Sequence, residues 1–174
     1  MRVYLGHGAA GTAASMAPFV DGLRRRGIDA TAIDLPKRRA EEAVPALLRV
    51  APPGPSTVVG GHSYGGRVAS LAAAGQTYAG LVLLSFPLHR PGHPELGPRV
   101  AHFPRIGCRV LLLSGEADPF ARLDLLQAAV ERLPRAELVT YPRLGHTLLP
   151  ALDDALDRVA RFVRELEAAP AGDV

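Results

Sequence analysis

The chain has 174 residues, of which 48% are hydrophobic and 21% charged, a balance that excludes disordered, collagen-like and coiled-coil proteins. This length suits a single domain, which we expect to span residues 1–168, followed by a frayed tail at 169–174. The single cysteine, Cys108, excludes a disulfide framework within the chain and a multi-cysteine zinc site, and it suggests a reducing, cytoplasmic setting.

Short apolar runs typical of strands alternate along the chain with longer stretches of helical periodicity. This alternation predicts a doubly wound α/β domain around a parallel sheet. The predicted strands are Arg2–Leu5, Ala30–Asp34, Thr57–Gly60, Leu81–Ser85, Arg109–Ser114 and Glu137–Tyr141. The predicted helices are Ser15–Arg26, Arg39–Val50, Gly65–Ala74, Arg122–Leu133 and Leu152–Glu167. One connection, Phe86–Gly107, is too rich in proline for a long helix, and long excursions of this kind are often functional.

The strongest motif is Gly61-His62-Ser63-Tyr64-Gly65, a G-x-S-x-G that follows a predicted strand and opens a predicted helix. In this context the turn is sharp, its glycines are a steric requirement, and the serine projects above the sheet at a helix N-terminus. We therefore predict that Ser63 is a nucleophile. The alternative is a glycine-rich turn that merely joins strand to helix.

A serine nucleophile needs a base, and two candidates follow later strands. Asp118 comes directly after one strand and His146 after the next, which gives the order Ser, Asp, His along the chain. Carboxyl ends of parallel strands share one edge of the sheet, so we expect the three side chains to meet there. His146 would accept the serine proton while Asp118 fixes its tautomer. Taken singly, Asp118 is equally well a helix N-cap and His146 a loop histidine.

An oxyanion hole would complete this chemistry. Small residues at Gly8–Gly11 follow the first strand, and such a loop commonly supplies one backbone donor while the residue after the nucleophile supplies the other. We assign the backbone N–H groups of Ala9 and Tyr64 to this role, with Ala10 as a rival to Ala9.

The same loop supports a different interpretation. Gly6-x-Gly8-x-x-Gly11 after a strand, with Asp34 at the end of the next one, also fits a dinucleotide-binding domain. That alternative leaves the serine, aspartate and histidine unexplained, and the chain offers little room for a substrate domain.

Other polar clusters favour no further ligand. A zinc site is the alternative for His89, His93, Glu95 and His102, but these residues lie in the proline-rich connection, and we predict no metal and no cofactor. The basic triplets Arg24–Arg26 and Lys37–Arg39 lack interleaved aromatics, so we expect solvated positions and no nucleic-acid partner, with anion binding as the alternative.

No apolar run reaches the length of a membrane span, and the start does not fit a signal peptide. Cys108 precedes a strand and is predicted to be a core residue.

Together these residues resemble the α/β-hydrolase superfamily, in particular its small dienelactone-hydrolase-like members and the branch that includes testis-expressed protein 30 and regulatory subunit 3 of the NSL complex. The resemblance extends from the Gly8–Gly11 loop through the serine motif, with Gly66 and Arg67, and the stretch Ser85–Gly92 to Asp118 and His146. It departs at His62 and Tyr64, where that branch tends to carry Lys and Met.

The resemblance implies a serine hydrolase of a small ester, thioester or lactone, with an acyl-serine intermediate and no cofactor. It also implies a minimal, lidless fold without the N-terminal hairpin, in which six parallel strands lie in the order 2-1-3-4-5-6. One uncovered edge would permit either a monomer or a homodimer. The alternative function is a non-catalytic interaction module. The predicted pocket walls are Phe86, Leu88, His89, Phe120 and Leu148.

Overall fold

A computed structural model describes residues 1–169, so of the predicted tail only Ala169 lies within the described residues. Strands and helices alternate through this part of the chain. The strands are β1 (Arg2–Gly6), β2 (Asp29–Ile33), β3 (Gly54–His62), β4 (Tyr78–Leu84), β5 (Arg109–Gly115) and β6 (Ala136–Tyr141). The helices are α1 (Ala17–Arg25), α2 (Ala40–Val50), α3 (Tyr64–Ala73), α4 (Leu123–Val130) and α5 (Leu152–Ala168).

The six strands form one sheet in the order β2-β1-β3-β4-β5-β6, and every neighbouring pair is parallel. The predicted strand order is therefore confirmed. Because the strands are parallel and nearly in register, their carboxyl ends align: Gly6 at the end of β1 lies opposite Ile33 of β2 and Gly61 of β3. The loops that leave these ends share one edge of the sheet.

Helices cover both faces of the sheet, as the continuous apolar strands require. Apolar side chains of α1 and α5 pack together on one face, where α5 buries apolar side chains at steps of three and four residues from Leu156 to Leu166. Helices α2, α3 and α4 bury their apolar residues on the other face. Helix α1 begins two residues later than predicted because residues 13–16 form a 3-10 turn and Pro18 suits the first turn of the α-helix that follows.

The proline-rich connection between β4 and β5 forms no α-helix, as predicted, and contains two short 3-10 turns, Pro98–Val100 and Phe103–Arg105. Its apolar residues nevertheless enter the core on the α3 side. Phe86 and Phe103 are completely buried, and their rings lie 5.2 Å apart. The connection is thus part of the core rather than a loose excursion. No helix in residues 1–169 combines the length and the apolar character needed to cross a membrane.

Candidate active site

Ser63 occupies the sharp turn between β3 and α3. Its backbone has φ of 51° and ψ of −111°, a conformation that a residue with a side chain adopts only at a cost. Space for the turn depends on Gly65, where a Cβ atom would lie 2.3 Å from the carbonyl oxygen and carbon of Gly6. The Gly65 N–H group also donates to the carbonyl oxygen of His7 at 2.9 Å. The turn therefore packs directly against the end of β1, and this contact holds Ser63 at the carboxyl edge of the sheet.

Three predicted residues come together at this edge in a chain of hydrogen bonds. The Oγ atom of Ser63 lies 2.8 Å from Nε2 of His146, and Nδ1 of His146 lies 2.8 Å from Oδ2 of Asp118. A carboxylate oxygen only accepts, so His146 carries its proton on Nδ1 and donates it to Asp118. Its Nε2 atom is then free to accept the hydroxyl proton of Ser63.

The carboxylate of Asp118 is held on both sides. Its side chain is completely buried, whereas that of His146 is 24% exposed. The second oxygen, Oδ1, accepts the backbone N–H of Phe120 at 2.8 Å, which fixes the plane of the carboxylate. The ring of Phe120 packs against the imidazole of His146 with 4.4 Å between ring centroids. Phe120, one of the five predicted wall residues, thus contacts this hydrogen-bonded chain.

The loop after β1 lies beside Ser63, since a Cβ atom at Gly8 would lie 4.0 Å from Cβ of Ser63. A hydrogen bond from Gly11 N–H to the Gly8 carbonyl oxygen closes a turn with Ala9 and Ala10 at its centre. The N–H groups of these central residues stay outside the turn's own hydrogen bond. Tyr64 is the first residue of α3, so its N–H group has no acceptor within the helix.

Two histidines that the sequence does not predict as site residues hold in place the loops that carry His146 and Gly8. Nε2 of His62 donates to the carbonyl oxygen of His146 at 2.9 Å, and burial lowers the pKa of His62, which favours its neutral form. His7 accepts the Leu35 N–H at Nε2, at 3.0 Å, and donates from Nδ1 to the Gly8 carbonyl oxygen, at 2.7 Å. These three contacts join residues that are distant along the chain or lie in loops, and no periodicity in the sequence reveals them.

The other predicted wall residues lie in the cores or beside a cavity. Phe86 and Leu148 are buried in the two cores, because the connections that carry them pack onto the sheet faces. Leu88 and His89 line a cavity of about 890 Å³ next to the start of α2. Both ring nitrogens of His89 are already used, one accepting the Arg122 N–H and the other donating to the Arg90 carbonyl oxygen.

Within residues 1–169, no three His, Cys, Asp or Glu side chains are grouped so that they could hold a metal ion. Nε2 of His102 contacts the hydroxyl of Ser70 at 2.8 Å. Asp34, the candidate ribose ligand of a dinucleotide site, accepts the N–H of Ala13. Cys108 is buried, and burial raises the pKa of its thiol to about 11, which keeps it protonated and unreactive.

Comparisons with solved structures show the same fold in hydrolases. A monoacylglycerol lipase from Paleococcus ferrophilus aligns with a TM-score of 0.80 at 15% identity over 95% of this chain and 94% of the lipase. Est1E from Butyrivibrio proteoclasticus, in its structure with ferulic acid bound, aligns with a TM-score of 0.80 at 17% identity over 97% of this chain and 90% of Est1E. A predicted CIB-like hydrolase from Thermoplasma acidophilum aligns with a TM-score of 0.74 at 15% identity over 94% of this chain and 86% of that chain.

Sequence comparison leads to the same fold. No curated protein sequence matches the chain. The family model described as Alpha/beta hydrolase domain, however, matches residues 36–163, which is well over half of the chain and includes Ser63, Asp118 and His146. The chain therefore belongs to the α/β-hydrolase domain family.

Proposed function

We propose that the protein is a serine hydrolase that cleaves small esters, thioesters or lactones through an acyl intermediate on Ser63. The observation that carries the proposal is the continuous chain of hydrogen bonds from Ser63 through His146 to Asp118, with 2.8 Å at each contact. A serine in a strained turn, an imidazole in the right tautomer and a buried carboxylate are the three parts that acyl transfer to serine requires.

In the first half of the reaction, Oγ of Ser63 attacks the carbonyl carbon of the substrate while Nε2 of His146 takes the hydroxyl proton. The tetrahedral intermediate carries its negative charge on the former carbonyl oxygen, where the N–H groups of Ala9 and Tyr64 would donate to it. Asp118 stabilises the imidazolium that forms. Collapse of the intermediate expels the alcohol or thiol, which takes the proton from His146 and leaves Ser63 acylated.

In the second half, water takes the place of the alcohol. His146 accepts a proton from the water as it attacks the acyl carbon, and a second tetrahedral intermediate forms with the same oxygen contacts. Its collapse releases the carboxylic acid and returns the proton to Oγ of Ser63. The net reaction consumes one water molecule and needs no cofactor.

Small or extended acyl groups suit this site best. His146 is partly exposed, the Gly8–Gly11 loop beside Ser63 is open to solvent at Ala9 and Ala10, and no helical cap stands over the residues described. The structural relatives with the same fold include a monoacylglycerol lipase and an enzyme crystallised with ferulic acid, which is compatible with ester substrates. We therefore expect turnover of short p-nitrophenyl esters.

Labelling of Ser63 provides the direct test. The wild-type protein should react with a fluorophosphonate probe and hydrolyse p-nitrophenyl butyrate, and Ser63→Ala should do neither. His146→Ala should lower kcat by about three orders of magnitude or more with little loss of stability, since these residues act as a unit. Circular dichroism and thermal unfolding of each variant control for misfolding.

Two results would overturn the proposal. A wild-type protein that is inactive on a broad ester panel and unlabelled by the probe is not a serine hydrolase, and the fold would then serve as an interaction module. Labelling that persists in Ser63→Ala would assign the nucleophile to another residue.

A further inference from the structure

A cavity of about 890 Å³ lies between the start of α2, the side of α3 and the proline-rich connection. Four arginines and three glutamates line it. The arginines are Arg39, Arg67, Arg90 and Arg99. Arg39 belongs to one of the two basic triplets in the sequence, which the proposed reaction does not use.

Backbone contacts link residues that line this cavity to the hydrogen-bonded chain of Ser63, His146 and Asp118 at two places. On α3, Arg67 is one turn from the nucleophile, and its backbone N–H donates to the Ser63 carbonyl oxygen at 3.1 Å. On the opposite side, the N–H of His89 donates to the Phe120 carbonyl oxygen at 3.1 Å, and Phe120 packs against the ring of His146. The elements that line the cavity are therefore also those that position Ser63 and Phe120.

The positive charge inside the cavity is only partly neutralised. Arg67 donates from Nη2 to Glu41 at 3.1 Å, but its Nε–H group is buried and has no acceptor. Arg99 donates to two backbone carbonyl oxygens, those of Pro87 and His89, and within residues 1–169 it forms no ion pair with a carboxylate. Burial lowers the pKa of Arg99, and the charges of Arg67 and Arg90 lower it further.

An anion in the cavity would offset the repulsion among the guanidinium groups. Four arginines against three glutamates leave one net positive charge in the lining. That balance favours a monoanionic carboxylate over a dianionic phosphate. The planar fork of arginine also matches the two oxygens of a carboxylate.

We propose that this cavity, lined by Arg67, Arg90 and Arg99 beside Ser63, binds a carboxylate at the far end of the substrate's acyl chain. The preferred substrates are then monoesters of dicarboxylic acids. This inference rests on the proposed function, because it names the class of ester that the same site selects.

Paired substrates of equal chain length test the proposal. The p-nitrophenyl monoester of adipic acid carries a terminal carboxylate, and p-nitrophenyl hexanoate has a methyl group in its place. We expect wild-type kcat/KM to be higher for the adipate monoester by about tenfold or more, the size of a charge-assisted hydrogen bond. In Arg99→Gln the ratio of the two values should fall towards one, and Arg90→Gln should lower it in the same direction.

Arg25→Gln is the matched control, because it removes the same charge from an exposed position on α1, on the opposite face of the sheet. It should keep the wild-type ratio. Equal kcat/KM for both esters in the wild type, or a ratio that Arg99→Gln and Arg25→Gln lower alike, would overturn the carboxylate site and leave the serine hydrolase standing. Loss of both activities together with failure of probe labelling would instead overturn the proposed function, and the carboxylate site with it.

Discussion

His62 fills the variable position before Ser63, and its side chain connects two loops of the site. Its Nε2–H donates to the carbonyl oxygen of His146, and its ring centroid lies 5.2 Å from that of His146. On its other side, Nδ1 faces Gly8, where a Cβ atom would come within 3.0 Å. Through this hydrogen bond His62 holds the loop that carries the base, which makes His62 a positioning residue.

Substitution of His62 should affect turnover more than folding. Without the hydrogen bond to its carbonyl oxygen, His146 would adopt a wider range of positions, and we expect His62→Ala to lower kcat about three- to tenfold with little change in KM. His62→Gln keeps an N–H donor and should restore part of kcat. Steady-state kinetics on p-nitrophenyl butyrate, with thermal midpoints alongside, measure both. If His62→Ala keeps the wild-type kcat, the contact has no positioning role.

The residues that meet at the site divide into those that a motif reveals and those that only the folded chain reveals. Ser63, Asp118 and His146 each follow a predicted strand, so parallel pairing alone brings them to one edge. The contact between His62 and His146 depends on how a loop 84 residues away closes, which no local pattern encodes. For the same reason, the burial of Phe86 and Leu148 was not foreseen: an apolar residue after a strand fits a pocket wall and a core equally well.

At the scale of elements, the site depends on how closely α3 approaches β1. Gly61 and Gly65 both touch the backbone of Gly6, and a Cβ atom at either would lie 2.4 Å or less from its carbonyl oxygen. Glycine at these positions lets α3 begin directly above the sheet with Ser63 at its N-terminus. The G-x-S-x-G motif is therefore a packing requirement between two elements as well as a chemical signature. The alternation of strands and helices was predictable because each element carries its own periodicity.

Gly65→Ala should destabilise the fold. The new methyl group would collide with backbone rather than with a side chain that could move, so we expect a loss of about 3 kcal/mol or more in the free energy of unfolding. Gly75→Ala is the matched control, since a Cβ atom there would meet only the Ala72 carbonyl oxygen, at 4.0 Å. Urea unfolding of both variants measures the difference. A Gly65→Ala protein as stable as Gly75→Ala would contradict the tight approach of α3 to β1.

At the scale of the whole molecule, the proline-rich connection packs between the sheet and α3 and holds them together. Phe86 and Phe103 anchor it in the core, and Nε2–H of His102 donates to the hydroxyl of Ser70, which itself donates to the Arg67 carbonyl oxygen. Arg67 lies on α3 with Ser70, and Arg99 lies on the connection with His102. Both arginines line the cavity. The composition of the connection predicts the absence of a helix but not this packing, because the packing depends on contacts with distant elements.

The buried imidazole of His102 on this connection should make the free energy of unfolding depend on pH. Burial lowers the pKa of His102 to about 4, and the charges of Arg67 and Arg105 contribute in the same direction while Glu41 opposes them. In the unfolded chain a histidine takes up its proton near pH 6.5. As the pH falls from 6.5 towards 4, the unfolded state therefore binds more protons than the folded state, and the free energy of unfolding decreases. The loss is at most about 3 kcal/mol and is absent above pH 7.

Urea unfolding at pH 7.5 and pH 4.5 measures this contribution when His102→Gln is compared with His93→Gln. Glutamine at position 102 keeps a donor for Ser70 but cannot take up a proton, so the decrease in stability between the two pH values should be smaller than in the wild type. His93 is exposed on the same connection, and His93→Gln should retain the wild-type decrease. Equal decreases in His102→Gln and the wild type would mean that carboxylates, rather than the buried imidazole, govern the acid sensitivity of the fold.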